Sequence, residues 1–112
     1  MDAVTLRIAR EPDVEAIGTL TREAYAKWVA VTGREPLPMR VDYAEAVKAH
    51  RFDLLYDGDV LAALIETVPD GEHLLIENVA VAPDKQGRGY GKRLMRHAEE
   101  LAASSGMQGT RL

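Results

Sequence analysis

The feature that most constrains this chain is a run of three glycines at alternate positions, Gly87, Gly89 and Gly91, in the segment Gln86-Gly87-Arg88-Gly89-Tyr90-Gly91-Lys92. It follows the apolar stretch Val79-Ala80-Val81 and Pro83, and it precedes a helical pattern with Leu94, Ala98, Leu101 and Ala102 on one side. The order is a buried strand, a tight glycine turn and an amphipathic helix. A helix start carries several backbone N–H groups without internal partners and about half a positive charge. Glycine, lacking Cβ, lets such a start approach a large anion closely. Arg88 and Lys92 add formal charge beside those amides, so the segment suits a pyrophosphate better than a lone carboxylate.

The rest of the chain supports one mixed domain over 1–112. Leu6 and Ile8 alternate with polar residues, predicting a strand over 5–10. Pro12, Asp13 and Glu15 suit a helix start. Val14, Ile17, Leu20, Ala24, Trp28 and Val31 then form an apolar stripe ending before Gly33, which places Trp28 in the core. Asp42 is a cap for a short helix to about His50. Strands are predicted over 52–56, 60–68 and 73–81, joined by turns at Asp57-Gly58 and Pro69-Asp70-Gly71. After the long helix, residues 110–112 begin a strand that should lie parallel to the third. The expected order is β-α-α-β-β-β-α-β, an α+β fold in three layers with a mixed, mostly antiparallel sheet flanked by helices.

Composition removes several function classes. The chain has no cysteine, which excludes disulfides, a thiolate nucleophile and zinc held by thiolates. Its three histidines lack metal-ligand spacing, and no metal is expected. A formal net charge of −4 argues against nucleic acid as the main ligand. No apolar run reaches membrane-spanning length, and the first ten residues are too polar for a signal peptide, so no membrane partner and a cytoplasmic location are expected.

Two familiar phosphate loops do not fit. The spacing is not the Gly-x-Gly-x-x-Gly of dinucleotide-binding folds, and Gly91-Lys92 precedes Arg93 where a nucleoside-triphosphate loop has Ser or Thr. The stretch VAVAPDKQGRGYGKRLM instead resembles the acetyl-CoA signature of the GNAT superfamily of N-acetyltransferases, Gln/Arg-x-x-Gly-x-Gly/Ala, supplied here by Gln86, Gly89 and Gly91. The element order matches about the first two-thirds of that fold.

The resemblance implies a set of roles. Main-chain amides over Gly87, Arg88, Gly89, Tyr90, Gly91 and Lys92 would hold the pyrophosphate of acetyl-CoA, with Gln86 at the head of the turn. The main chain of Val79, Ala80 and Val81 would pair with the pantetheine arm like an added strand, where two parallel strands splay apart. An amide near Val79 would face the thioester oxygen. The acceptor, a small-molecule or protein amine, would attack directly after losing a proton, because a lysine-like amine has a pKa near ~10.4. Glu77, two residues before Val79, is the candidate base, with Glu66 on the neighbouring strand second. Tyr25, Trp28, Glu66 and Asn78 border the expected acceptor region; Asn78 has the alternative of satisfying main-chain groups at a strand irregularity. A non-catalytic coenzyme-binding module is the other reading of the chain. The family's further C-terminal strands, and the tyrosine that protonates the thiolate, have no counterpart before Leu112. An open sheet edge, and from it a homo-oligomer, is therefore expected.

Overall fold

The computed structural model describes residues 3–112; Met1 and Asp2, which the expected domain includes, lie outside the described residues. Five strands form one sheet in the order β1-β2-β3-β4-β5: β1 (Val4–Ile8), β2 (Arg51–Asp57), β3 (Val60–Asp70), β4 (His73–Val81) and β5 (Gly109–Arg111). The first four are mutually antiparallel, and β5 runs parallel to β4. Helices α1 (Val14–Thr32) and α2 (Tyr43–Ala49) cover one face, and α3 (Tyr90–Ser104) covers the other. Strand alternation divides the apolar residues between the faces. Ile17, Leu20, Phe52, Leu54, Leu64 and Ala80 pack together beneath α1 and α2. Leu55, Ala63, Ile65, Ile76, Leu94 and Ala98 pack together beneath α3. The expected three-layer architecture and the parallel last strand are both present.

The element ends follow local chemistry. Gly33 stops α1 in the left-handed region at φ 73°, its N–H donating to Val29 C=O. Asp42 caps α2 by accepting from the Ala44 N–H at 3.0 Å. The hairpins turn one residue later than the sequence reading placed them, at Gly58-Asp59 and Gly71-Glu72. Gly58 and Gly71 hold φ near +60° and supply the turn geometry themselves, so Pro69 remains in β3 opposite Leu74.

β1 ends at Ile8 rather than Arg10, for an electrostatic reason. The Asp13 carboxylate takes both Arg7 guanidinium nitrogens, at 2.8 and 2.9 Å, and also the Arg10 N–H at 2.8 Å. That draws Arg10 out of the ladder and into the entry of α1. Two more residues depart from expectation. Trp28 and Val31 continue the apolar stripe of α1 but are exposed, by 46 % and 73 %. The last turns of α1 face the Leu37–Met39 turn rather than the sheet, and that loop leaves their apolar side open.

Two outcomes test this account. Leu94 is fully buried, and Leu94→Ala should cost about 2–5 kcal/mol in urea unfolding. Val31→Ala should cost less than about 0.5 kcal/mol. The hydrogen bonds from Arg7, foremost, hold the Asp13 carboxyl below the usual carboxylate range. A depressed folded-state pKa contributes stability that is complete above the ordinary carboxylate pKa and lost as pH falls through the lowered value. Asp13→Asn should therefore flatten the acid side of the stability–pH curve, read by thermal melts between pH 7 and pH 3.

Candidate functional site

β5 pairs with β4 over its whole length, His73 with Gly109, Leu74 with Thr110, and Leu75 with Arg111. Beyond Leu75, β4 keeps its β3 partner and, among the described residues, has no strand on its other side. The direction of its main-chain groups follows from the bonds they make. Val79 C=O receives the Tyr25 hydroxyl at 3.3 Å, and Val81 C=O receives the Gln86 side-chain amide at 3.4 Å. Ala82 N–H donates inward to Ala62 C=O. In a strand the N–H and C=O of one residue point to the same side, and the side alternates. Val79 and Val81 therefore present both main-chain groups to the open edge. Ala80, opposite Leu64, turns its groups toward β3 and offers the groove only its wall. Of the three residues expected to pair with a pantetheine arm, the alternation leaves two free to do so.

The open edge leads into the glycine turn. Gly87 and Gly89 sit at φ 83° and 81°, and Gly89 is the N-cap of α3. Arg93 N–H to Gly89 C=O is the first helical bond, at 3.0 Å. The amides of Tyr90, Gly91 and Lys92 precede it, so they have no partner inside the helix. They border a hollow of about 510 Å³ with Lys85, Gln86, Gly87 and Val81. A Cβ on Gly87 or Gly89 would meet nothing within 4 Å, so it is the positive φ, not crowding, that requires glycine there.

Side chains at the turn divide into two groups. Arg88 and Tyr90 are drawn to Asp57 at the β2–β3 hairpin: the Tyr90 hydroxyl donates at 2.7 Å, and the Arg88 guanidinium lies 3.5 Å away. The bond to Asp57, first, raises the Tyr90 pKa. These contacts anchor the turn, and they leave Arg88 less available to an anion than its position suggests. Lys92 borders the hollow without an ion-pair partner among the described residues, and so does Lys85. Sequence reasoning missed Lys85; its place one residue before Gln86 was the available signal.

At the other end of the groove, β4 bulges. Glu66 is opposite Asn78 and Thr67 is opposite Ile76, which leaves Glu77 without a register partner. Simple alternation would put Glu77 on the face of Val79; the extra residue breaks that alternation. Glu77 is exposed, whereas Asn78 is buried and its Oδ1 accepts the Tyr25 hydroxyl at 2.7 Å. Asn78 Nδ2 is buried without a partner. Glu66 is also buried, 2.6 Å from His50 Nδ1. Burial, first, pushes the Glu66 carboxyl above its ordinary range; the His50 bond opposes this, and the Glu77 charge adds to it. Burial likewise raises the Tyr25 hydroxyl, which keeps it protonated. Tyr25, Asn78, Glu66 and His50 thus form a polar row across the sheet beneath α1 and α2.

Tyr25 and Trp28 join the groove to a larger space. They line the short channel along Val79 and Val81, and they also line an open cavity of about 860 Å³ bordered by the 33–40 loop. Turn, open strand edge and cavity are therefore contiguous, and Tyr25, Trp28, Val79, Val81, Gln86 and the glycines are brought together along them. No group of three or more His, Asp or Glu side chains among the described residues is placed to hold a metal. No helix among them is long and apolar enough to cross a membrane.

Known proteins place this arrangement. The acetyltransferase (GNAT) family profile matches residues 10–112. Similar solved structures include a PaiA N-acetyltransferase from Thermoplasma acidophilum in complex with coenzyme A, with TM-score 0.80, 17 % identity, and coverage of 93 % of this chain and 74 % of that one. A GNAT family acetyltransferase from Brucella melitensis in complex with acetyl-CoA gives TM-score 0.78 and 23 % identity, covering 98 % of this chain and 75 % of that one. An IAA acetyltransferase from Bacillus cereus gives TM-score 0.66 and 23 % identity over 93 % of this chain; the chain spans 61 % of that protein's length. No curated protein matches the chain. With the glycine turn, the parallel β4–β5 pair joined through α3 and the family profile in agreement over nearly the whole chain, the protein belongs to the GNAT acetyltransferase family.

Proposed function

We propose that this domain transfers an acetyl group from acetyl-CoA to a primary amine by direct attack within a ternary complex. The observation that carries this is the continuity of three features: unpaired amides at the start of α3, an unpaired edge of β4, and a cavity beginning at Tyr25 and Trp28. The pyrophosphate sits on the amides of the glycine turn, with Lys92 and Lys85 as its countercharges. The pantetheine arm runs along β4 and pairs with Val79 and Val81 as an added strand.

That placement brings the thioester to the bulge. The Val79 N–H donates to the thioester oxygen as negative charge develops there. The amine enters from the cavity as an ammonium group, loses a proton, and attacks the carbonyl carbon. As the tetrahedral intermediate collapses the C–S bond breaks, and coenzyme A leaves as a thiolate that takes up the proton lost by the amide nitrogen. Glu77, exposed at the bulge, is the proposed base, acting directly or through a water. Glu66 is the alternative: its raised pKa makes it a stronger base once ionised, but the His50 bond already occupies one oxygen. Asn78 positions Tyr25 against Val79. Self-association is proposed through the outer edge of β5, which has β4 on one side only. A concentrated solution that stays monomeric by light scattering would remove it.

Two experiments test the core of the reading. Gly91 has no positive φ, and a Cβ there meets only Val81 Cγ2 at 3.9 Å, so Gly91→Leu should fold normally while filling the proposed pyrophosphate position. Calorimetry should show acetyl-CoA affinity falling at least about 100-fold; unchanged affinity with an intact melting transition would refute the site. Glu77→Gln should lower kcat by about 10²–10⁴ and remove the limb along which rate rises with pH, with acetyl-CoA affinity little altered. If that limb survives in Glu77→Gln and disappears in Glu66→Gln, the base is Glu66.

A further inference from the structure

The charges around the 860 Å³ cavity are arranged unevenly. Its outer wall carries Arg34 and Arg40, and neither guanidinium has an ion-pair partner among the described residues. Arg7, Arg51, Arg88 and Arg111 each lie against an aspartate, while among the described residues Arg22 and Arg96, like Arg34 and Arg40, do not. In a chain of net charge −4, two unengaged guanidiniums on one cavity wall are a local excess of positive charge, which Glu35 on the same wall only partly offsets. The inner end, at Tyr25, leads through the Tyr25–Asn78 hydrogen bond toward Glu66, opposite Asn78, and Glu77 beside it, two carboxylates that lie beyond the cavity lining. Between the two ends lie Trp28 and Leu37, both exposed to the cavity.

From this polarity we infer that the acceptor is an amino-carboxylic acid, its amine at the acidic end beside Val79 and its carboxylate on Arg34 and Arg40. The inference rests on the acetyl-transfer reading for the identity of the amine end. Planar guanidiniums take a carboxylate in paired hydrogen bonds, and the apolar stretch between suits a methylene chain. The length of the cavity favours separated groups. Tyr25 and Thr32, both on its lining, stand two helical turns apart, roughly 10 Å. Even with the reach of an arginine side chain, that separation fits an ω-amine better than an α-amine.

The only tryptophan of the chain is Trp28, so its fluorescence reports the cavity directly. Titration of the acetyl-CoA-loaded and free protein with 6-aminohexanoate and with 6-aminohexanamide compares the same amine with and without the carboxylate. The acid should bind at least about 10-fold more tightly, and it should show a matching advantage in kcat/KM for thiol release. In the Arg34→Gln/Arg40→Gln protein that preference should vanish. Equal affinities in the native protein, or a preference that survives the double substitution, would overturn the inference. A protein that binds no acetyl-CoA would fail the acetyl-transfer reading instead, while the Trp28 titration would still decide between acid and amide.

Discussion

Val79 and Val81 turn their main-chain groups away from β3, and most of what the site can do depends on that orientation. A strand edge left without a neighbour exposes N–H and C=O groups that want partners, and folded proteins normally cover such edges. Here the carbonyls of Val79 and Val81 are met by single side-chain donors, from Tyr25 and Gln86, and not by a strand. In the proposed function, the pantetheine arm is the molecule that pairs with this edge as an added strand.

The surrounding structure fixes where this edge and the glycine turn lie. α3 crosses back beneath the sheet and buries Leu94, Ala98 and Ala102 against Ile65 and Ile76, which fixes where its first turn points. Tyr90 and Arg88 reach Asp57 on the far side of the turn and hold the glycine segment to the β2–β3 hairpin. On the opposite face, Ile17, Leu20 and Ala24 seat α1 so that Tyr25 reaches the strand edge, and Tyr43 fixes the loop by donating to Pro38 C=O. Apolar burial on both faces sets the position, and a few polar contacts set the direction.

The bulge at Glu77 acts on the same strand by a different means. One unpaired residue turns Asn78 inward, next to Tyr25, and leaves Glu77 exposed. It also places two carboxylates of unlike character within electrostatic reach: Glu66, buried and shifted upward, and Glu77, in contact with solvent. Burial makes Glu66 resist ionisation, and the charge of Glu77 adds to that resistance.

Local chemistry was legible in the amino-acid sequence because its causes are local. The glycine spacing, the Asp42 cap, the Gly33 stop and the apolar runs of β2 to β4 each depend on residues within a few positions of one another, and together they determined the order of elements and the glycine turn. Four matters were decided only by the tertiary structure, because each depends on residues distant in the chain. Trp28 and Val31 continue the stripe of α1, but the sheet does not extend beneath them. Asp57, more than thirty positions before Arg88 and Tyr90, engages both side chains and changes what Arg88 is free to do. The bulge opposite Glu66 and Thr67 alters which way Glu77 faces, and strand periodicity cannot register an inserted residue. Which main-chain groups of β4 face the groove follows from its register with β3, and Tyr25, more than fifty positions before Val79, is what meets them.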